Sequence, residues 1–220
     1  MKPVMLSLFD FTGEMVKPWL EAGYECWIID VQHKPGINRK NNLVKVGADI
    51  RFGWLPPAEI IDQIKFIAAF PPCDHLAVSG ARWFKGKGLR SLGLSIDLFA
   101  TATEICEWSG APYLIENPVS TISTYWRKPD YTFHPWQYCG YEPNDEYTKK
   151  TCLWTGGGFV MPEPYHPNKV NPDDRIHKCS PSADRKNIRS ITPFGFAKAV
   201  YLANSKMFKG LINARSRLSH

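Results

Sequence analysis

The sequence has no uninterrupted apolar run near the roughly 18 residues of a membrane-spanning helix, so a transmembrane segment is excluded. Asp10 interrupts the first apolar stretch too early for the core of a secretion signal, and a cytoplasmic chain is expected. Cys-x-x-Cys pairs are missing too. The cysteines stand at 26, 73, 106, 139, 152 and 179, and a chain of the cytoplasm keeps such thiols reduced. His166 and His177 add no recognised zinc spacing to them, so no metal is expected. Internal repeats and low-complexity tracts are also absent. Charged residues make up 22% and hydrophobic residues 44%, which excludes a disordered chain.

What is present is 220 residues, enough for one domain with a core of its own, with or without a small lobe. The net charge of +6 is concentrated late: residues 169–220 hold eleven Lys/Arg against three Asp/Glu. Such a balance fits an anionic partner, nucleic acid or nucleotide, and equally a solvated basic face. Arg185, Lys186 and Arg189 cluster before the last helix as candidate phosphate contacts.

The first half alternates apolar strand-like runs (residues 4–9, 24–30, 43–49, 65–70 and 113–115) with helical spacing at 14–22 and 93–108. Near-continuous apolar strands separated by helices predict an α/β fold with a mostly parallel sheet covered on both faces. Residues 120–172 are rich in Pro, Gly and aromatics, with short strands expected at 132–136 and 151–154. A final helix is expected at 193–207. The division expected is a catalytic and cofactor-binding domain (1–119 and 188–210), a small irregular lobe (120–187) and a basic tail (211–220).

The early strands end in Asp10, Asp30, Asp49, Cys73 and Glu116. In an open parallel sheet, ligands bind beyond the carboxyl ends of strands, so the set reads as one cleft. Each alone has a plainer reading, the aspartates as caps and the cysteine as a buried thiol. Pro71-Pro72 fixes the backbone that carries Cys73, and Glu116 ends the neighbouring strand. A thiolate beside a carboxyl group suits addition to an electron-poor ring. Gly13 lets the backbone approach a ligand, and Asp30 is placed to accept from two ribose hydroxyls.

Several stretches resemble the DNA cytosine carbon-5 methyltransferases, in the family's order. Leu6-Ser7-Leu8-Phe9-Asp10-Phe11-Thr12-Gly13 is similar to the first motif, with Phe11 where glycine is usual. Phe70-Pro71-Pro72-Cys73 with Ser79-Gly80 is similar to the nucleophile loop, and Glu116-Asn117 to the Glu-Asn motif. Lys149-Lys150-Thr151-Cys152-Leu153-Trp154 and Arg189-Ser190-Ile191-Thr192-Pro193-Phe194-Gly195-Phe196-Ala197 resemble the two late motifs of small bacteriophage members.

The resemblance implies a class I, Rossmann-like fold that binds S-adenosylmethionine through Phe9, Thr12, Gly13, Asp30, Val31, Asp49, Ile50 and Pro71. It implies Cys73 as nucleophile on carbon 6 of cytosine and Glu116 as the group at ring nitrogen 3. Ser79, Asn117, Lys149, Lys150, Arg185 and Arg189 are implied at the substrate, a cytosine in DNA. Only residues 155–187 separate the late motifs, where full-length members carry a target-recognition region. Specificity is then slight, or a partner supplies it, or the substrate is not duplex DNA. Other readings are a related enzyme acting on a free pyrimidine nucleotide or transferring another group, and an inert nucleic-acid- or cofactor-binding protein. An amino-group methyltransferase is disfavoured, because Phe70 and Cys73 flank the prolines where Asp/Asn and an aromatic residue are needed.

Overall fold

The computed structural model describes residues 2–178 and 185–217, without the side chains of 177, 185–187 and 206–217. Cys179 and the last residues of the basic tail lie outside the described part.

An eight-stranded sheet runs in the order β3-β4-β2-β1-β5-β6-β8-β7. The strands are β1 (Val4–Leu8), β2 (Glu25–Ile29), β3 (Gly36–Lys40), β4 (Leu43–Gly47), β5 (Ile64–Ala69), β6 (Tyr113–Pro118), β7 (Tyr131–Phe133) and β8 (Thr151–Gly156). The central strands β4, β2, β1, β5 and β6 are parallel. Every residue of β1 is buried, as expected of a strand covered on both faces. Val4, Leu6 and Leu8 enter one core with Phe99 and Ile105, while Met5 enters the other with Trp19 and Phe196. The period of two along the strand thus divides one apolar run between two cores.

The helices are α1 (Lys17–Glu21), α2 (Phe84–Ser109), α3 (Ile122–Tyr125), α4 (Arg175–Lys178), α5 (Arg185–Ser190) and α6 (Phe194–Arg217). α2 buries Ser95, Phe99, Ala102, Ile105 and Cys106, one helical face, and ends at Gly110 in the left-handed conformation. It begins well before the expected residue 93, with a break at Gly88, whose φ is 77°. α1 and α6 cover the opposite face, where Phe196 stacks on Phe133 at 3.8 Å between ring centroids.

Two features differ from the sequence expectation. β3 is an added antiparallel edge strand, joined to β4 through Asn41 at φ 53°. Its mostly exposed Gly-Ile-Asn-Arg-Lys carries no apolar pattern, and charges on an edge strand discourage further pairing. Residues 120–156, expected to open a separate irregular lobe, instead supply β7 and β8 to the main sheet. β8 is antiparallel to both β6 and β7, and Phe133 and Leu153 bury themselves in the α6-side core. No helix among the described residues is long and apolar enough to cross a membrane.

Candidate active site

Counted along the chain, the five parallel strands lie in the doubly wound order 3-2-1-4-5, so the order in which strands are added reverses between β1 and β5. The segments leaving these two strands carry Phe9 to Gly13 and Phe70 to Cys73. The first is held by Asp10, which is buried and accepts hydrogen bonds from Ser7 Oγ at 2.7 Å and Gly13 N at 2.7 Å. Burial raises the Asp10 carboxyl above its usual range, against the hydrogen bonds from Ser7, Gly13 and Thr12. Its backbone N–H donates to Ile29 O at 3.1 Å, and its carbonyl meets His33 Nε2 at 3.0 Å.

Phe9 is left-handed at φ 57° and Gly13 at φ 73°. For Phe9 this costs about 1–3 kcal/mol, a conformation that surrounding structure must enforce and that gathers at ligand sites. Phe11, in place of the usual glycine, has no positive φ. Its ring lies 5.4 Å from that of His33, partly exposed. The substitution therefore introduces no backbone strain.

Asp30 follows β2 directly. One of its carboxylate oxygens accepts from Gln32 N at 2.7 Å, and the other has no partner among the described residues. Val31 beside it is exposed. Asp49 is differently engaged: the Arg51 guanidinium donates to both its oxygens, and Asp49 caps the turn that follows by accepting from Arg51 N at 3.1 Å. The Arg51 hydrogen bonds hold the Asp49 carboxyl below its ordinary value. Ile50 is buried in the core rather than lining an open wall.

Cys73 and Glu116 come from adjacent parallel strands, with Ala69 in register with Ile115. Two sets of bonds tie their segments together. Asn117 Nδ2 donates to Pro71 O at 2.9 Å. Beyond Cys73, Ala77 pairs with Ser120, Val78 N donates to Val119 O at 2.9 Å, and Thr121 N donates to Leu76 O at 3.0 Å. Among the described residues Cys73 is the partly exposed thiol, whereas Cys26, Cys106, Cys139 and Cys152 are buried. Burial pushes the Cys73 thiol up to about 11, helped by the charges of Glu116 and Asp74 and opposed by Lys149. Burial also raises the Glu116 carboxyl, again opposed by Lys149. Burial thus favours the neutral form of both groups, and a protonated carboxyl is the form able to give a proton to a ring nitrogen.

Glu116 lines a narrow cavity with Phe70, Phe133, Thr151, Thr192, Pro193 and Phe196. Thr192 and Pro193 follow α5 and bring the late segment to the same strand ends. Their contribution was legible only as part of a motif, because Glu116 lies far away in sequence. Lys149 sits two residues before β8, and its charge acts on both Cys73 and Glu116. Lys150 is exposed and acts on Cys152 instead. Ser79 lies exposed in a 3-10 turn, Val78–Trp83. Arg189 is partly buried in α5, and the Arg185 side chain is outside the described ones. Among the described residues no group of three His, Cys, Asp or Glu could hold a metal ion.

No protein-family model matches this chain, and no curated protein matches it.

Proposed function

We propose that this chain is an S-adenosylmethionine-dependent methyltransferase acting on carbon 5 of cytosine in DNA through a transient bond to Cys73. The observation that carries the reading is the joining of Cys73 and Glu116 at neighbouring strand ends, locked by the Asn117–Pro71 hydrogen bond. The doubly wound order, with antiparallel β8 set between β6 and β7, supports the class I fold that the motifs imply.

The residues where the strand order reverses fit the cofactor in part. Asp30 keeps a carboxylate oxygen for a ribose hydroxyl, and the positive φ of Phe9 and Gly13 shapes the loop leaving β1, the other segment at this reversal. Asp49 has its oxygens on Arg51, so it meets an adenine amine only through remaining lone pairs. S-adenosylmethionine, when bound, supplies the methyl group.

The chain's own groups do the rest. Cys73 Sγ, once deprotonated, bonds to carbon 6, and the ring's electron pair moves toward carbon 5. Glu116 holds a proton at ring nitrogen 3 and stabilises that electron flow. After carbon 5 is methylated, a water molecule takes the carbon-5 proton, the C–H electron pair restores the ring double bond, and Cys73 leaves as thiolate. In duplex DNA the target base must leave the stack to reach this site.

The test is incubation with methyl-labelled S-adenosylmethionine and either DNA or dCMP, followed by digestion and identification of the modified base. The expected product is 5-methylcytosine from DNA. A label on an exocyclic amine, or none on any cytosine, overturns the reading.

A further inference from the structure

A second cavity lies apart from the one at Glu116. It is a half-open hollow of about 250 Å³ where the nucleophile loop turns into α2, a little smaller than the usual small-molecule pocket and of a size for one flat ring. Its wall is mainly apolar: Phe84, Leu89 and Leu92 face it, joined by Lys85, Lys87 and His75. Gly88 makes the shape. Its left-handed φ of 77° breaks the helix, so that Phe84 and Leu89 stand on separate segments.

Three further observations bear on what fits there. His75 Nδ1 is buried without a hydrogen-bond partner, a polar group that a ligand can satisfy. Residues 75–96 contain Arg82, Lys85, Lys87 and Arg90 and no Asp or Glu, so the surroundings favour an anion. Leu89 is 85% exposed at the rim, so an apolar surface on which a flat ring can lie is open to solvent there. An apolar slot, one unsatisfied hydrogen-bonding atom and flanking ammonium groups together match a nucleobase on a phosphate backbone.

The position relative to Cys73 fixes which base. His75 is two residues beyond Cys73, and Lys87 Nζ bonds the carbonyl of Asp74 between them. We propose that this cavity receives the unpaired base next to the target cytosine, so that the substrate is a single-stranded or locally melted polynucleotide. The inference rests on the reading of Cys73 as the group that meets the target base. A base paired within a duplex cannot enter the slot. Lys85 and Lys87 then hold the phosphate between the two nucleotides, and His75 hydrogen-bonds the edge of the inserted base.

The experiment measures binding and leaves chemistry out. Cys73→Ala protein is titrated by fluorescence anisotropy with single-stranded oligonucleotides holding one cytosine. They carry either a normal base or an abasic site on its 5′ or 3′ side, and the matching duplex is tested alongside. One abasic position is expected to weaken binding roughly tenfold, the loss of one stacked base. Leu89→Ala, exposed and therefore harmless to folding, should weaken the intact oligonucleotide and abolish the abasic difference. His75→Ala should act in the same direction. Equal affinity for all single strands, tighter binding to duplex, or a Leu89→Ala protein indistinguishable from its parent overturns the pocket. The two readings separate cleanly: base-dependent binding without any methylation by Cys73-intact protein keeps the pocket and removes the methyltransferase. Methylation without flanking-base dependence does the reverse.

Discussion

The Asn117 side chain donates to the Pro71 carbonyl across 46 residues of sequence, at 2.9 Å and out of contact with solvent. It therefore fixes the loop that carries Cys73 against the strand that carries Glu116. Replacing Asn117 with alanine leaves a buried carbonyl unpaired, a cost of about 1–3 kcal/mol. It also frees the loop, and a shift of order 1 Å in a reacting group costs about 100-fold in rate. Asn117→Ala should accordingly lower the denaturation midpoint modestly and reduce kcat by about 10- to 100-fold, with the KM for S-adenosylmethionine little changed. Steady-state kinetics together with urea unfolding check it; unchanged kcat would show that the bond does not position the nucleophile.

Asp30 and Asp49 separate under the same test. Asp30 has an oxygen to spare, whereas Arg51 occupies Asp49. Asp30→Ala should weaken S-adenosylmethionine binding by about 1.5–3 kcal/mol, the worth of hydrogen bonds to a charged acceptor. Asp49→Ala should have less effect on affinity, since the pair it breaks is local. Calorimetry on both variants decides, and a larger loss at Asp49 reverses the assignment.

The parallel strands were legible because burial on both faces leaves unbroken apolar runs such as Val4-Met5-Leu6. Cys73 and Glu116 were legible as the residues where such runs stop. β3 was not, since an exposed edge strand needs no apolar face. The placing of β7 and β8 in the main sheet was hidden as well: their pairing with β6 is long-range, while local Pro and Gly suggested irregular chain. At the site, the Asp49–Arg51 pairing competes with the expected role of Asp49, and the same residues are compatible with either. The cavity at His75 depends on the backbone sign of Gly88, which composition does not encode.

Asp145 gives a pH-dependent prediction remote from the cleft. It is buried and accepts from Gly195 N at 2.7 Å, holding the start of α6. Burial pushes its carboxyl up to about 6, against that hydrogen bond. A carboxyl raised in the folded state favours folding when protonated. Its contribution is full below the ordinary value of 3.8 and is lost as pH rises through about 6. Asp145→Asn keeps an acceptor for Gly195 and removes the titration. The variant's stability relative to wild type should improve by ~2 kcal/mol between pH 4 and pH 7.5. Urea unfolding at both pH values measures it, and a pH-independent difference would sink the assignment.

The Cys73 thiol, pushed up to about 11, predicts both reactivity and turnover. Only the thiolate is nucleophilic, so alkylation by iodoacetamide, read by peptide mass spectrometry, should climb roughly tenfold per pH unit from 7 to 10. A plateau near pH 8 would mean that the thiol is not raised. Glu116→Gln removes a nearby negative charge and should speed alkylation at pH 9. Lys149→Ala removes the opposing positive charge and should slow it. Methyl transfer should respond differently, because Glu116 is needed at the ring. Glu116→Gln is expected to slow transfer by about 100-fold or more, the usual scale for losing a general acid, although its thiol is the more reactive one. Cys73→Ser should abolish transfer and keep cofactor affinity, a hydroxyl being far the weaker nucleophile. An oligonucleotide with 5-fluorocytosine should trap wild-type protein covalently, since carbon 5 then has no proton to lose. A Cys73→Ser protein that still methylates, or a wild-type protein that transfers methyl to cytosine but is never trapped, would leave the cysteine with no part in the chemistry.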